Sequence, residues 1–194
     1  MRNVSMLLIE CKQELRSKPY GARPFLGVRM ATNRDRKTFG GLPPSYNFIL
    51  NPFPNERFTS CPGCREKTGQ RKGPLAIHID PRIMIGLDYT NRYCTRCDLL
   101  IGHKHEIEHL LTERFREIAP EIVGNDYLIF GTIKKKAWQE NKLEPKPIHE
   151  MAAHMSDFKD YRLLSMTRGG WYPEAQKPPF RIPPESKEWV KHKG

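Results

Sequence analysis

The chain is 194 residues long, 38% hydrophobic and carries 17 prolines, a composition that supplies one modest core with extended arms. No apolar run approaches the roughly 18 residues a membrane-spanning helix needs, which excludes a helical membrane protein and predicts a soluble one. The net charge of +11 is unevenly placed: residues 1–60 hold ten Lys/Arg against four Asp/Glu, whereas residues 61–124 hold ten against nine. A basic arm on a nearly neutral body suits a polyanionic partner. Nucleic acid comes ahead of a membrane surface, because no basic amphipathic helix occupies the arm.

Val4 to Ile9 reads as a short strand or the start of a helix reaching Leu15, ended by Lys18-Pro19-Tyr20-Gly21. Its apolar core, Met6 to Ile9, is too short for a signal peptide. From Ala22 to Ser60 no period is visible, and prolines 24, 43, 44, 52 and 54 keep the stretch extended. Arg23, Arg29, Arg34, Arg36 and Lys37 are interleaved there with Phe25, Phe39, Tyr46, Phe48 and Phe53. Cations on phosphates and aromatic rings on bases would make this a nucleic-acid arm; the alternative is that the rings pin the arm onto the body.

Two tight pairs follow, Cys61-Pro62-Gly63-Cys64 and Cys94-Thr95-Arg96-Cys97, with 29 residues between Cys64 and Cys94. Four thiolates so paired form a tetrahedral metal cage, and Gly63 is the residue expected to take the positive dihedral that points amides at sulfur. Five cysteines is an odd count and Cys11 has no nearby partner, so the pattern predicts a reducing, cytoplasmic setting and a metal rather than disulfides. The pattern resembles four-cysteine zinc ribbons, and rubredoxins place two such pairs at a similar spacing. The resemblance implies one structural zinc on Cys61, Cys64, Cys94 and Cys97, with iron as the alternative. Arg65, Lys67 and Arg96 beside the sulfurs favour a binding module over an electron carrier.

Between the pairs, Leu75, Ile77 and Ile79 alternate with Ala76, His78 and Asp80 as in a half-buried strand, and Ile83 to Tyr89 is a second strand. His78 reads as a strand residue on the polar face rather than a ligand. His103 to Ile118 is the clearest helix, with Ile107, Leu110, Leu111, Phe115 and Ile118 on one stripe and Pro120 at its end. Its polar face holds His105, Glu106, Glu108, His109 and Glu113.

His105-Glu106-Ile107-Glu108-His109 matches H-E-x-x-H, in which two histidines one turn apart hold zinc and the glutamate is the base. Here the flanks are charged and no third histidine follows at metzincin spacing, so His105, Glu106 and His109 are candidates only for a zinc-hydrolase alternative. The primary expectation is an exposed, non-catalytic helix.

Tyr127 to Ile133 is strongly β-prone, with Gly131 as a bulge, and Lys134, Lys135 and Lys136 at its end contact phosphate or form a solvated run. A second helix from Pro147 places Met151, Met155, Phe158 and Leu163 on its apolar side. The proline-rich tail from Gly169, with Trp171, Tyr172, Phe180 and Trp189, cannot build a core and lies along the domain or a partner, or stays free. The reading is an α+β fold: a small four-cysteine zinc ribbon of β-hairpins, a packed main helix, a further strand or hairpin, a second helix, and extended arms. Its parts are a basic arm (1–59), the ribbon domain (60–168) and the tail (169–194). The predicted function is non-catalytic binding of nucleic acid or a ribonucleoprotein, with a protein-interaction adaptor as the alternative.

Overall fold

The computed structural model of the protein describes residues 38–173 and 175–191. Cys11, Arg23, Arg29, Arg34, Arg36 and Lys37, and the expected first segment, lie outside them. Seven strands form one sheet: β1 (Asn47–Asn51), β2 (Gly69–Ile79), β3 (Ile83–Cys94), β4 (Leu99–His103), β5 (Tyr127–Ile133), β6 (Met155–Asp157) and β7 (Asp160–Leu163). The order is β6-β5-β2-β3-β4-β1-β7. Pairing is antiparallel from β6 to β4, and β1 runs parallel to both β4 and β7.

The two edge strands are consecutive in sequence, so the sheet curls until residues 155–163 serve both edges. At the crossing point the Phe158 amide donates to the Phe130 carbonyl on β5 at 2.9 Å, and the Lys159 amide donates to the Tyr46 carbonyl beside β1 at 2.8 Å. This overturns the expectation of a single helix running from Pro147 through Leu163. Helix α3 covers only Ile148–Ala152, Met155 belongs to β6, and Leu163 ends β7 and is largely exposed. The 151/155/158 spacing is helical, but backbone pairing with β5 and β1 outweighs a local period.

Helix α1 (Lys104–Ile118) turns Ile107, Leu111 and Phe115 into the main core with Phe48, Leu50, Leu75, Ile77, Leu87, Ile129 and Phe158. Leu110 is only partly buried and Ile118 is exposed, so the stripe is narrower than its sequence suggests. Helix α2 (Lys135–Leu143), where the sequence showed only a lysine run, covers the opposite face with Ala76, Phe130, Ile133, Trp138, Met151 and Met155. Trp138 lies directly over Gly86, where an added Cβ would come within 2.4 Å of the indole. The indole N–H donates to Asp88 Oδ1 at 3.0 Å, and Lys142 pairs with the other carboxylate oxygen. The expected bulge is present: Gly131 opposes Ala76 but Ile129 opposes Ile77, leaving Phe130 as the extra residue.

Both expected arms contribute to the body. β1 sits between β4 and β7, and Phe48 and Phe53 are buried, so neither ring is free to stack on a base. In the tail, Trp189 enters the main core against Phe115 and Tyr127, and its indole donates to the Asn125 carbonyl at 2.7 Å. No helix among the described residues is long and apolar enough to cross a membrane.

Candidate metal centre and basic groove

The four predicted cysteines converge. The Cys61 and Cys97 sulfurs lie 3.9 Å apart, those of Cys64 and Cys94 3.5 Å, and all four fall within 4.8 Å of one another. A tetrahedral ion bound at about 2.3 Å to each sulfur requires Sγ–Sγ edges of about 3.8 Å, so the donor set fits one metal ion. The second pair is the turn joining β3 to β4, with Cys94 opposite Leu99; the first is closed by a Ser60–Lys67 bridge in the loop before β2. The pairs are therefore turns on the large sheet, underlain by Leu99 and Ile101. Left-handed backbone falls not at Gly63 but one residue past each pair, at Arg65 (φ 64°) and Asp98 (φ 47°). Asp98 is held there by the Tyr93 hydroxyl, donating at 3.1 Å, and by the Lys159 ammonium at 2.8 Å.

The thiols titrate unequally. A hydrogen bond from the Glu66 backbone brings Cys64 down to about 7, while its interaction with Cys64 pushes Cys97 up to about 12 and burial raises Cys94. The Cys64 thiolate forms readily while Cys94 and Cys97 resist ionisation; a cation among the sulfurs would remove that resistance.

The histidines of the HEIEH segment look in different directions. His105 Nε2 lies 3.0 Å from the Pro52 carbonyl, and His109 Nδ1 lies 2.6 Å from a Glu188 carboxylate oxygen. Glu106 accepts from the Tyr89 hydroxyl at 2.8 Å and faces Arg57 at 3.5 Å. Glu108 is not on an exposed face: it is buried, with Lys104 at 3.3 Å and the Tyr127 hydroxyl at 3.2 Å. Among the described residues, the cysteine cluster is the group of three or more His, Cys, Asp or Glu placed to share a metal ion.

A second feature lies where the inner face of the sheet changes character. On β2 that face runs Ile79, Ile77, Leu75, then Gly73 and Arg71; on β3 it runs Ile85, Leu87, Tyr89, then Asn91. Arg71 and Asn91 are register partners. They line a groove of about 500 Å³ that also collects Lys72, Lys134, Lys135 and Tyr46, with Leu42, Pro43, Pro74, Leu100 and Ile133 as its apolar walls. The Arg71 guanidinium is fixed between the Tyr46 and Tyr93 rings, 4.9 Å from each centroid. Of the three lysines singled out in the sequence, Lys134 and Lys135 line the groove, whereas Lys136 stands outside it, 4.0 Å from Glu140. Asn91 is 2% exposed and its Oδ1 has no hydrogen-bond partner. The signal for it was available: a polar residue at an inward position of a strand's alternation.

Comparison with protein-family models, with curated proteins and with solved structures finds no match.

Proposed function

We propose that this chain is a zinc-stabilised, non-catalytic binding protein whose partner is nucleic acid or a ribonucleoprotein. The observation that carries the reading is the convergence of Arg71 and Lys72 on β2 with Lys134 and Lys135 at the start of α2 on one groove. Cations gathered by folding from distant parts of a chain make a phosphate-sized target that a run of surface lysines does not. The excess of basic residues over 1–60 adds to the net positive charge of the chain, which favours the same class of partner. Zinc is the assigned ion because four thiolates at tetrahedral spacing and basic flanks are the donor chemistry of a structural site, and its role is to hold the two turns. Iron in the same cage would be coloured, so the visible spectrum and metal content of the purified protein decide between them.

The test is a salt titration of binding to single-stranded and duplex oligonucleotides. Phosphate contacts predict log affinity falling linearly with log salt, and a Lys134→Ala/Lys135→Ala variant flattens the slope by about 2. Affinity that does not respond to salt overturns the reading. In that event the adaptor alternative gains, favoured by Trp171, Phe180 and Ile182 standing 89%, 65% and 85% exposed on the tail.

A further inference from the structure

The nucleic-acid reading leaves open what the floor of the groove is for. Cations at its rim account for phosphate, but Asn91 does not belong to that chemistry. It is buried at the bottom of a concave site, and its carboxamide carbonyl is unpartnered. Buried side-chain polar atoms are nearly always paired, and an orphan lining a groove is a position where an incoming group completes the pairing. A carboxamide offers an acceptor and a donor side by side, the pattern that matches a base edge. Around it the walls are apolar, suited to the faces of a flat ring.

The second end of the groove is the start of α2. Lys134 and Lys135 line the groove there, and no side chain caps the helix's first amides. A phosphate at this point would meet free N–H groups and two ammonium groups together. Arg71, immobilised by its two tyrosines, stands ready-placed beside Asn91 on the neighbouring strand.

We propose that the groove holds one unstacked nucleotide of a single strand, its phosphate at the start of α2 beside Lys134 and Lys135 and its base edge on the Asn91 amide. This rests on the nucleic-acid reading and narrows it. A base still paired in a duplex cannot reach the floor of the groove, so single strands or unpaired loops are selected over duplex.

The test uses the full-length chain and fluorescence anisotropy with two labelled single strands of equal length and charge, one bearing bases and one abasic. The base-bearing strand is expected to bind roughly tenfold more tightly or better. Asn91→Leu should abolish that ratio while leaving the salt slope unchanged, and Asn91→Ala, which inserts no extra bulk, should do the same. Lys134→Ala/Lys135→Ala should lower the slope while keeping the ratio. Salt-sensitive binding with equal affinity for the abasic strand, or a ratio that survives both Asn91 variants, overturns this inference and leaves the broader reading standing. No salt-sensitive binding to either strand overturns both.

Discussion

Asn91 gives a prediction in which folding and binding move in opposite directions. Asn91 is 2% exposed and its Oδ1 is buried and unpartnered, and leaving such a group buried costs about 1–3 kcal/mol. Asn91→Leu replaces it with an apolar side chain in a site walled partly by Leu100 and Pro74. Part of the gain is lost because leucine branches differently and because the groove admits water, so we expect a net stabilisation of about 1 kcal/mol. For a chain of this size that raises Tm by about 2–4 °C. Urea unfolding followed by far-UV circular dichroism measures it, with an unchanged m-value as the check that the unfolded state is the same. If Asn91→Leu loses 1 kcal/mol or more, the amide is paired in solution and is not waiting for a ligand.

Other expectations follow from the same contacts. Cys94→Ser removes one of the four converging sulfurs and should abolish binding of the proposed ion and expose residues 58–68 and 94–99 to hydrogen exchange, while the two apolar cores, which contain none of the four cysteines, keep most of their protection; global loss of protection refutes this. Trp189→Ala removes a ring packed on Phe115 and Tyr127 together with its bond to Asn125, and should cost about 3–5 kcal/mol in urea unfolding. A wild-type midpoint would mean the tail is not docked. Burial holds the His103 imidazole below its ordinary value, with Asn51 Nδ2 3.0 Å from its Nδ1. Its contribution is therefore whole above the unfolded value of about 6.5 and is lost as pH falls from there toward the lower folded value. His103→Gln should flatten the stability profile across that window. His109, raised chiefly by its bond to Glu188, has the opposite sign: its contribution is present at low pH and lost as pH rises through the folded value.

What was legible in the sequence was what a short window contains. Tyr127 to Ile133 was readable to the residue because its β-prone side chains are contiguous, and α1 because its apolar positions repeat on one face. The four-cysteine cluster was readable because each half of it is a four-residue turn. β1 was not, since five residues set among prolines have no period; its place comes from pairing with β4 and β7 far downstream. α2 was hidden because only Ala137 and Trp138 supply its apolar side, and what makes them count is the space left over Gly86. The groove was illegible as a site for the same reason: its cations and its asparagine come one or two at a time from β2, β3 and the start of α2.

The shared edge segment, residues 155–163, also bears on how fast the chain can fold. β1 has no partner of its own neighbourhood: Asn47 must find Leu99 on one side and Asp160 on the other, both in parallel register. Such pairings carry a high loop-closure entropy before any of it is repaid, and folding rates fall as contacting residues become more distant in sequence. The β2–β3 hairpin, whose pairing is local, can form early, as can the backbone hydrogen bonds within α1. During synthesis on the ribosome β1 emerges first among the described strands yet cannot be enclosed until residue 163 has left the exit tunnel. Phe48 and Leu50 thus stay unenclosed until late in translation, which leaves this strand open to chaperone capture or to pairing with another copy.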